Sequence, residues 1–284
     1  MIDATNLTFT YPNAAQPALK DLSFEVAEGE IFGFLGPSGS GKTTTQKLLI
    51  GLLKGYEGDV SVLGRDAKRW GADLYRQVGV GFELPNHFSQ LTGRENLQLF
   101  GTFHGGKAKD PMELLDLVGL ADAADQRVKN YSKGMAMRLN FVRAIMHDPP
   151  LLFLDEPTAG LDPGNARKLK DMIVGFREAG KTVFLTTHNM HDADELCDRV
   201  AFIVDGQLRA VDSPRALKLA HGKGQVTVEY LEDGTSKSAA FDLRGLHENQ
   251  AFQDVLAADE VQTIHSGEAT LEDVFLETTG RSLR

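Results

Sequence analysis

The sequence is poor in cysteine and in long apolar runs. Its one cysteine, Cys197, excludes an internal disulfide bond, and we expect it to be a buried small apolar side chain rather than a reactive thiol. The longest apolar runs, such as Leu151–Leu154 and Ala201–Val204, are far too short to cross a bilayer. The first ten residues lack the basic start and the apolar block of a secretory signal. We therefore expect the chain to work in the reducing cytosol.

Positive charge is also scarce. The chain has 30 lysines and arginines against 40 acidic residues, a net charge of −10, and its basic residues form no dense stripe. Nucleic acids and anionic lipids both attract basic faces, so the composition argues against a nucleic-acid partner and against direct binding to a membrane surface. A chain of 284 residues can form one large domain or two modest ones with a sizeable core.

What the sequence does contain is a glycine-rich segment between a predicted strand and a predicted helix. The strand is Ile31–Leu35, and leucines at positions 48, 49, 52 and 53 give the helix an apolar stripe. Between them, Gly36, Gly41, Lys42 and Thr43 match the pattern G-x-x-x-x-G-K-[ST] of phosphate-binding loops. A glycine-rich turn that binds nothing is the alternative, but the flanking elements favour a nucleoside triphosphate site.

Each residue type in this loop suits a phosphate ligand. Glycines let the backbone bend sharply and turn its N–H groups towards an anion, and the following helix directs the positive end of its dipole to the same place. We expect Lys42 to neutralise oxygens of the β- and γ-phosphates, and the Thr43 hydroxyl to bind magnesium.

Two buried strands are predicted to end in polar residues that complete this site. Leu151–Leu154 runs into Asp155 and Glu156, and a second strand at about 181–187 ends at His188. Ligands of open parallel sheets bind at the carboxyl ends of the strands. We therefore expect Asp155 to share a magnesium ion with Thr43, and Glu156 to take a proton from an attacking water. His188 is expected to reach the γ-phosphate.

The remaining chain is predicted to contain more strands and one helical block. Strands are expected at Ile2–Phe9, Leu19–Val26, 58–63 and 77–82, and a hairpin at 200–211. Helices with capping residues are expected to begin at Thr92, Asp110 and Ser132. Beyond about residue 220, a second hairpin with a turn at 233–234, helical material at 252–257 and a helix at 270–279 indicate a small α+β domain.

The order of these motifs resembles that of the nucleotide-binding subunit of ATP-binding cassette (ABC) transporters. The likeness covers about residues 1–215. Besides the phosphate loop and the two strand ends, it includes the signature segment (typically LSGGQ), the D-loop and an aromatic residue that stacks on adenine. These three features match Tyr131–Met135, Ala159–Asp162 and Tyr11.

The resemblance implies an α/β fold of the P-loop NTPase type. We expect a RecA-like core with an antiparallel β subdomain and a helical insert at about 86–147, all within an ATP-binding domain at 1–220, followed by an α+β accessory domain at 221–284. The family's nucleotide contacts fall on Tyr11, Gly36, Pro37, Ser38, Gly39, Ser40, Gly41, Lys42, Thr43, Thr44, Ser132, Gly134 and Asp162. Its metal ligands fall on Thr43, Asp155 and Glu83, and its catalytic residues on Glu156, His188 and Glu83.

Two positions depart from the family pattern. Met135 replaces the usual glutamine of the signature, while Ser132 and Gly134 remain. Because Ser132 is expected to start a helix, its hydroxyl and the helix N-terminus can still bind an anion. Glu83 stands where the family has a glutamine that touches magnesium and the attacking water. A glutamate keeps an oxygen ligand for the metal but adds negative charge beside the phosphates.

The resemblance also implies partners and a function. Two identical or similar subunits would form a head-to-tail dimer that binds ATP and Mg²⁺ and hydrolyses the ATP, with Asp162 communicating across the dimer. A separate transmembrane permease would dock near Glu83–Gln90 and hold the subunit at the cytoplasmic face of the membrane. The ending Ala269–Leu283 and the signature YSKGM resemble the branch that exports drugs, antibiotics or lipids.

Three alternatives stay open at this point. A soluble ABC ATPase of translation or DNA repair usually carries two cassettes or a long coiled-coil insert, and this sequence shows neither. A P-loop GTPase would carry the guanine-reading pattern N-K-x-D, which is absent. A module that senses ATP without hydrolysing it is disfavoured by the presence of Glu156 and His188.

Overall fold

Two β-sheets and a block of helices form the first part of the chain. The computed structural model describes residues 1–222, 224–232, 234–258 and 260–281. They divide into two units, Met1–Asp212 and Ser213–Arg281. The strands of the first unit are β1 Ile2–Phe9, β2 Leu19–Val26, β3 Ile31–Leu35, β4 Glu57–Val62, β5 Arg65–Asp66, β6 Val78–Gly81, β7 Leu151–Asp155, β8 Thr182–Thr187, β9 Arg199–Val204 and β10 Gln207–Asp212. Its helices are α1 Lys42–Leu49, α2 Gly93–Gly101, α3 Pro111–Leu117, α4 Lys133–Ile145, α5 Pro163–Glu178 and α6 Met190–Leu196.

The larger sheet brings the carboxyl ends of five strands to one edge. Its order is β10-β9-β3-β8-β7-β6, and all neighbouring pairs are parallel except β9 with β10. Every residue of β3, β7 and β8 is buried, because helices and the other sheet cover both faces of these central strands. The residues that follow β3, β6, β7 and β8 therefore meet at the same edge.

The smaller sheet is antiparallel and shares a core with the larger one. Its order is β2-β1-β4-β5, and buried residues alternate with exposed ones along much of β2. The ring of Phe184 on β8 lies 5.4 Å from that of Phe34 on β3 and 5.7 Å from that of Phe153 on β7. It also lies 6.3 Å from the ring of Phe24 on β2, so aromatic packing joins the two sheets.

The helical block lies between β6 and β7, and its capping residues are those expected. Thr92 and Glu95 form a capping box at α2, and the carboxylate of Asp110 accepts two backbone N–H bonds at α3. The hydroxyl of Ser132 accepts the N–H of Met135 at the start of α4. The predicted α/β fold with a parallel sheet, an antiparallel sheet and a helical insert is confirmed.

Several details differ from the sequence-based expectation. The helix α1 ends at Leu49, because Gly51 adopts a φ of 75° that ends the helical run. Leu52 consequently lies outside the helix, and 52% of it is exposed, so it is not part of a buried stripe. Helices α5 and α6 were not foreseen. Cys197 is buried as expected, and burial raises the pKa of its thiol.

The second unit packs a three-stranded antiparallel sheet against a helix. Its elements are α7 Pro214–His221, β11 Gln225–Glu232, β12 Thr235–Asp242, α8 Gln250–Ala258, β13 Glu260–Ser266 and α9 Leu271–Thr279. The sheet order is β12-β11-β13, and Val226, Val228 and Phe241 form its small core. The expected hairpin is β11 and β12, although Asp233 of its turn lies outside the described residues. Strand β13 was not foreseen.

The boundary between the units differs from the expected one. The division falls after Asp212, whereas the sequence placed it after residue 220. The difference is α7, which the sequence analysis did not identify and which packs against α9 of the second unit. The contacts between these two helices therefore place α7 with the second unit. The role of the second unit as an accessory domain stays a prediction.

Candidate functional site

The loop between β3 and α1 is folded so tightly that side chains do not fit at two of its glycines. A Cβ atom at Gly36 would lie 2.1 Å from the carbonyl oxygen of Ile203. One at Gly41, whose φ is 114°, would lie 2.6 Å from Cδ2 of Leu19. Gly41 is also the N-cap of α1 and offers no side chain to the first N–H groups of the helix. Those groups are left to bind a ligand.

Lys42 supplies a buried amine to this loop. Only 8% of Lys42 is exposed, and its Nζ donates to the carbonyl oxygens of Gly36 at 2.6 Å and Pro37 at 3.0 Å. Burial lowers the pKa of the amine, and the nearby carboxylates Glu156, Asp155 and Glu83 oppose that shift. The carboxylates thus favour the protonated amine, which is the form that binds phosphate oxygens.

Asp155 and Thr43 form an oxygen-rich pair at the end of β7. The Thr43 hydroxyl donates to Oδ2 of Asp155 at 3.2 Å, and the hydroxyl of Thr186 donates to the other carboxylate oxygen. Burial raises the pKa of Asp155, and the negative charges of Glu83 and Glu156 raise it further. A bound cation would relieve this repulsion. Hydroxyl and carboxylate oxygens are the ligands that Mg²⁺ prefers, so the residues present fit that ion.

Glu156 is held in place by the end of the neighbouring strand. Its Oε2 accepts the hydroxyl of Thr187 at 3.0 Å, and its Oε1 accepts the backbone N–H of His188 at 2.9 Å. Nδ1 of His188 lies 2.6 Å from the same Oε1. The backbone of Glu156 has a φ of 49°, a left-handed conformation that costs about 1–3 kcal/mol in a residue with a side chain. The carboxylate is therefore oriented by three contacts and by a strained turn.

These residues line one cavity of about 190 Å³ at the carboxyl edge of the larger sheet. It combines the N-terminus of α1 with an amine and three carboxylates. The expected site residues that line it are Ser38, Gly39, Gly41, Lys42, Thr43, Thr44, Glu83, Asp155, Glu156 and His188. Ser40 lies in the same loop, and its hydroxyl is buried with no hydrogen-bond partner among the described residues. The cavity can hold phosphate groups and a divalent cation.

Tyr11 lies at the rim of the phosphate loop rather than in the cavity. Its hydroxyl is 3.0 Å from Oγ1 of Thr44, and 37% of the residue is exposed. Its ring packs edge-on against Phe9, with 4.9 Å between the ring centroids. The placement suits the expected stacking on a base, which stays a prediction.

Ser132, Gly134 and Asp162 do not line this cavity. A Cβ atom at Gly134 would lie 3.5 Å from the carbonyl oxygen of Gly160, so the signature segment contacts the D-loop of its own chain. Asp162 caps α5, and its hydrogen bonds from the Asn165 side chain and backbone lower its pKa. Within one chain, these three residues, which were expected to contact the nucleotide, are therefore not part of the cavity at the phosphate loop.

Sequence reasoning missed the residues that orient the two carboxylates. Thr186 binds Asp155 and Thr187 binds Glu156, and both threonines are fully buried at the end of β8. The sequence held a signal for this role, because two adjacent threonines follow the apolar run Val183–Leu185 directly before His188. Their partners depend on the register that sets Thr186 beside Asp155, which the sequence does not reveal.

Comparison with known proteins agrees with this geometry. Residues 19–159 match the family model described as ABC transporter. The Fluoroquinolones export ATP-binding protein of Mycobacterium tuberculosis (strain ATCC 25618 / H37Rv) is 56% identical over 284 residues, which cover 100% of this chain and 94% of that protein. The chain belongs to the ATP-binding proteins of ABC transporters. Residues 224–268 of this ABC protein also match the model of the Fluoroquinolone efflux ABC transporter C-terminal domain.

Solved structures share the fold over most of the ABC protein. One, described as an ATP binding subunit of an ABC transporter, has a TM-score of 0.71 and 27% identity, over 78% of this chain and 92% of that one. Another is a dimeric ATP-binding cassette in a post-hydrolysis state with ADP and Pi. It has a TM-score of 0.69 and 28% identity, over 75% of this chain and 98% of that one.

The family membership confirms the expected activity. The chain is an ATP-binding subunit that hydrolyses ATP for transport, and the GTPase and non-catalytic alternatives are excluded. In the part of the chain that the structure describes, the helices are too short or too polar to span a membrane.

Proposed function

We propose that this ABC protein powers the export of fluoroquinolone-like antimicrobials through a separate permease. The observation that carries the proposal is the 56% identity to the fluoroquinolone export protein, which extends over the whole chain, including the second unit. The match of residues 224–268 to the fluoroquinolone efflux C-terminal domain supports the same cargo. The cargo itself would contact the permease, so its chemistry leaves no trace in the cavity at the sheet edge.

In this proposal the phosphate loop holds the triphosphate. The N–H groups at the start of α1 and the amine of Lys42 bind the phosphate oxygens, since both carry positive charge into a confined cavity. Tyr11 stacks on the adenine, because its ring stands at the rim beside Thr44. Thr43, Asp155 and Glu83 hold Mg²⁺, which when bound neutralises charge on the phosphate oxygens.

Glu156 acts as the general base in this proposal. Its carboxylate accepts three contacts from Thr187 and His188, so it faces one direction and can take the proton of an attacking water. His188 remains 59% exposed at its side chain and can reach a phosphate while it stays close to Glu156. Glu83 lines the same cavity.

A second copy completes the site. Within one chain, Ser132 and Gly134 lie outside the cavity, so no residue of the signature faces the phosphate loop of the same copy. In a head-to-tail dimer of identical or similar subunits, Ser132 of the partner subunit would bind the phosphates from the other side. ATP then forms part of the interface, and its binding favours the closed dimer.

The permease docks on a groove beside the helical insert. A cavity of about 630 Å³ lies next to the predicted docking segment Glu83–Gln90. Apolar side chains dominate its lining, among them Leu52, Tyr75, Val78, Phe82, Phe100 and Phe103. Phe103 is 62% exposed, and large exposed apolar groups mark interaction surfaces. Docking there would hold the ATPase at the cytoplasmic face of the membrane.

The export proposal is tested in the organism that carries this chain. Deletion of the gene is expected to raise the accumulation of a fluorescent fluoroquinolone in the cells, and the wild-type gene should restore efflux. A gene encoding Glu156→Gln at similar abundance should not restore it, because efflux depends on ATP hydrolysis. Unchanged accumulation after deletion would contradict the proposed cargo without touching the ATPase activity.

A further inference from the structure

The segment that carries Glu83 leaves the edge of the larger sheet and has no strand to hold it. Strand β6 ends at Gly81, and α2 does not begin until Gly93. Glu83 is exposed and lines the same cavity as the carboxylates of Asp155 and Glu156. Like charges repel, so this segment needs an attachment that keeps Glu83 at the cavity wall.

One face of α4 provides that attachment. Nδ2 of Asn140 donates to the carbonyl oxygen of Phe82 at 2.8 Å. One turn later, the guanidinium of Arg143 donates to the carbonyl oxygen of Asn86 at 2.8 Å. One turn earlier, the ring of His87 bonds through Nε2 to the carbonyl oxygen of Ala136 at 2.9 Å. These contacts recur at the spacing of a helix face and bind the segment 82–87 along α4.

Asn140 is the contact closest to Glu83. Only 2% of Asn140 is exposed, and its Oδ1 accepts a bond from Arg143 at 2.7 Å, so both ends of its amide group have partners. The bond from Nδ2 holds the carbonyl of the residue that immediately precedes Glu83. Loss of this donor would leave the Phe82 carbonyl without its partner and free the backbone at that point.

We propose that Asn140 is a positioning residue, which holds the backbone at Phe82 so that Glu83 faces the cation site beside Thr43 and Asp155. This inference rests on the proposed role of Glu83 as a metal ligand. Asn140 acts only through Glu83 and touches no reacting atom. Because Ser132 caps the same helix, the attachment also ties the position of Glu83 to that of the signature segment.

The first test needs neither metal nor nucleotide. Hydrogen–deuterium exchange is compared between wild-type protein and Asn140→Leu, which keeps the side-chain size but removes both hydrogen bonds. Amides of the segment 82–87 are expected to exchange about tenfold faster in the variant, since their local opening becomes easier. Asn140→Asp serves if the first variant does not fold, because an ionised carboxylate still accepts from Arg143 but cannot donate to Phe82.

The second test measures the affinity of Mn²⁺ by electron paramagnetic resonance, with ADP present. Loss of a group that orients a metal ligand typically weakens binding by about 10–100-fold, and we expect Asn140→Leu to fall in that range. In a Glu83→Ala background the same substitution should have no further effect. Equal weakening in both backgrounds, or unchanged affinity in Asn140→Leu, would overturn the positioning role.

A matched control is available on α2. Asn96 is another buried asparagine, and it bonds the backbone of Phe88 through both its Oδ1 and its Nδ2. Asn96→Leu should reduce stability while it leaves the Mn²⁺ affinity unchanged. An equal loss in Asn96→Leu would mean that general destabilisation explains the effect and would overturn the proposal.

The affinities of Glu83→Ala and Asn140→Leu for Mn²⁺ distinguish the metal-ligand role of Glu83 from the positioning role of Asn140. Unchanged Mn²⁺ affinity in Glu83→Ala would remove Glu83 from the metal site and take the positioning role with it. A weakened affinity in Glu83→Ala, with wild-type affinity in Asn140→Leu, would overturn the positioning role alone. In that second case, the proposed function, including the role of Glu83 as a metal ligand, would be retained.

Discussion

Glu156 combines an unfavourable backbone with a well-ordered side chain. Its φ of 49° would suit glycine, yet its carboxylate accepts hydrogen bonds from Thr187 and His188. Strain of this kind persists only where the surrounding structure over-determines it, and it is frequent at active sites. The combination therefore supports the proposed role of Glu156 as the base that activates water.

The substitution Glu156→Gln tests this role. The glutamine has nearly the same shape but cannot accept a proton, so ATP turnover should fall by about 10²–10⁴-fold. Phosphate release measures the turnover, and light scattering with ATP and Mg²⁺ measures the dimer. We expect the variant to accumulate as an ATP-bound dimer. A variant that stays monomeric with ATP would contradict the view that hydrolysis reopens the dimer.

At the scale of elements, two histidines fill the junction between the insert and the larger sheet. The rings of His104 and His147 are stacked with 3.8 Å between their centroids, and Nε2 of His147 lies 3.1 Å from the carbonyl oxygen of Val78 on β6. Burial lowers the pKa of His147 to about 4, and the charge of His104 lowers it in the same direction. Both rings line the proposed docking groove.

This junction predicts a loss of stability in mild acid. In the unfolded chain His147 takes up a proton near its usual pKa of 6.5, but in the folded protein only near 4. The neutral ring of His147 therefore contributes its full stabilisation above about pH 6.5. As the pH falls from 6.5 towards 4, this stabilisation is lost, because the unfolded chain binds a proton that the folded protein does not. When the pH falls from about 7.5 to about 5, the free energy of unfolding should decrease by roughly 1–2 kcal/mol less in His147→Phe than in the wild-type protein. Urea unfolding at both pH values measures this, and equal losses would contradict it.

Most elements of the first unit follow from local sequence patterns. Strands β1, β2 and β3 have the bounds expected from their apolar patterns, and the caps at Thr92, Asp110 and Ser132 mark their helices correctly. The ends of β7 and β8, at Asp155 and just before His188, were also located, because a run of buried apolar residues marks each strand.

What the sequence did not reveal depends on register and tertiary contact. The pairing that sets Thr186 beside Asp155 is a relation between two distant strands, and neither strand encodes it alone. Likewise, the bond from Asn140 to the carbonyl of Phe82 joins residues that lie far apart in the chain. The end of helix α1 was not predicted either. The apolar pattern continues beyond Leu49, but Gly51 takes a left-handed backbone conformation that ends the helix.

At the scale of the whole molecule, the proposed dimer divides each site between two copies. Ser132 and Gly134 are at the start of α4, away from the cavity that contains Lys42. If the partner's signature completes each site, two different defects can compensate for one another. A dimer of one copy with a defective phosphate loop and one with a defective signature would contain one intact site.

A mixing experiment tests this division. Lys42→Ala and Gly134→Asp should each show little ATPase activity alone. An equal mixture should recover about a quarter of the wild-type activity, because half of the dimers are mixed and each has one of two sites intact. Phosphate release is measured as the mixing ratio varies. Activity that stays at the level of the single variants would show that each copy works alone.

The aromatic core around Phe184 affects how a movement at the phosphate loop is transmitted through the first unit. It joins strands of both sheets through rings 5.4–6.3 Å apart at their centroids. Close-packed interiors have low compressibility. A sub-ångström displacement that begins at the phosphate loop is therefore passed through the sheets with little damping.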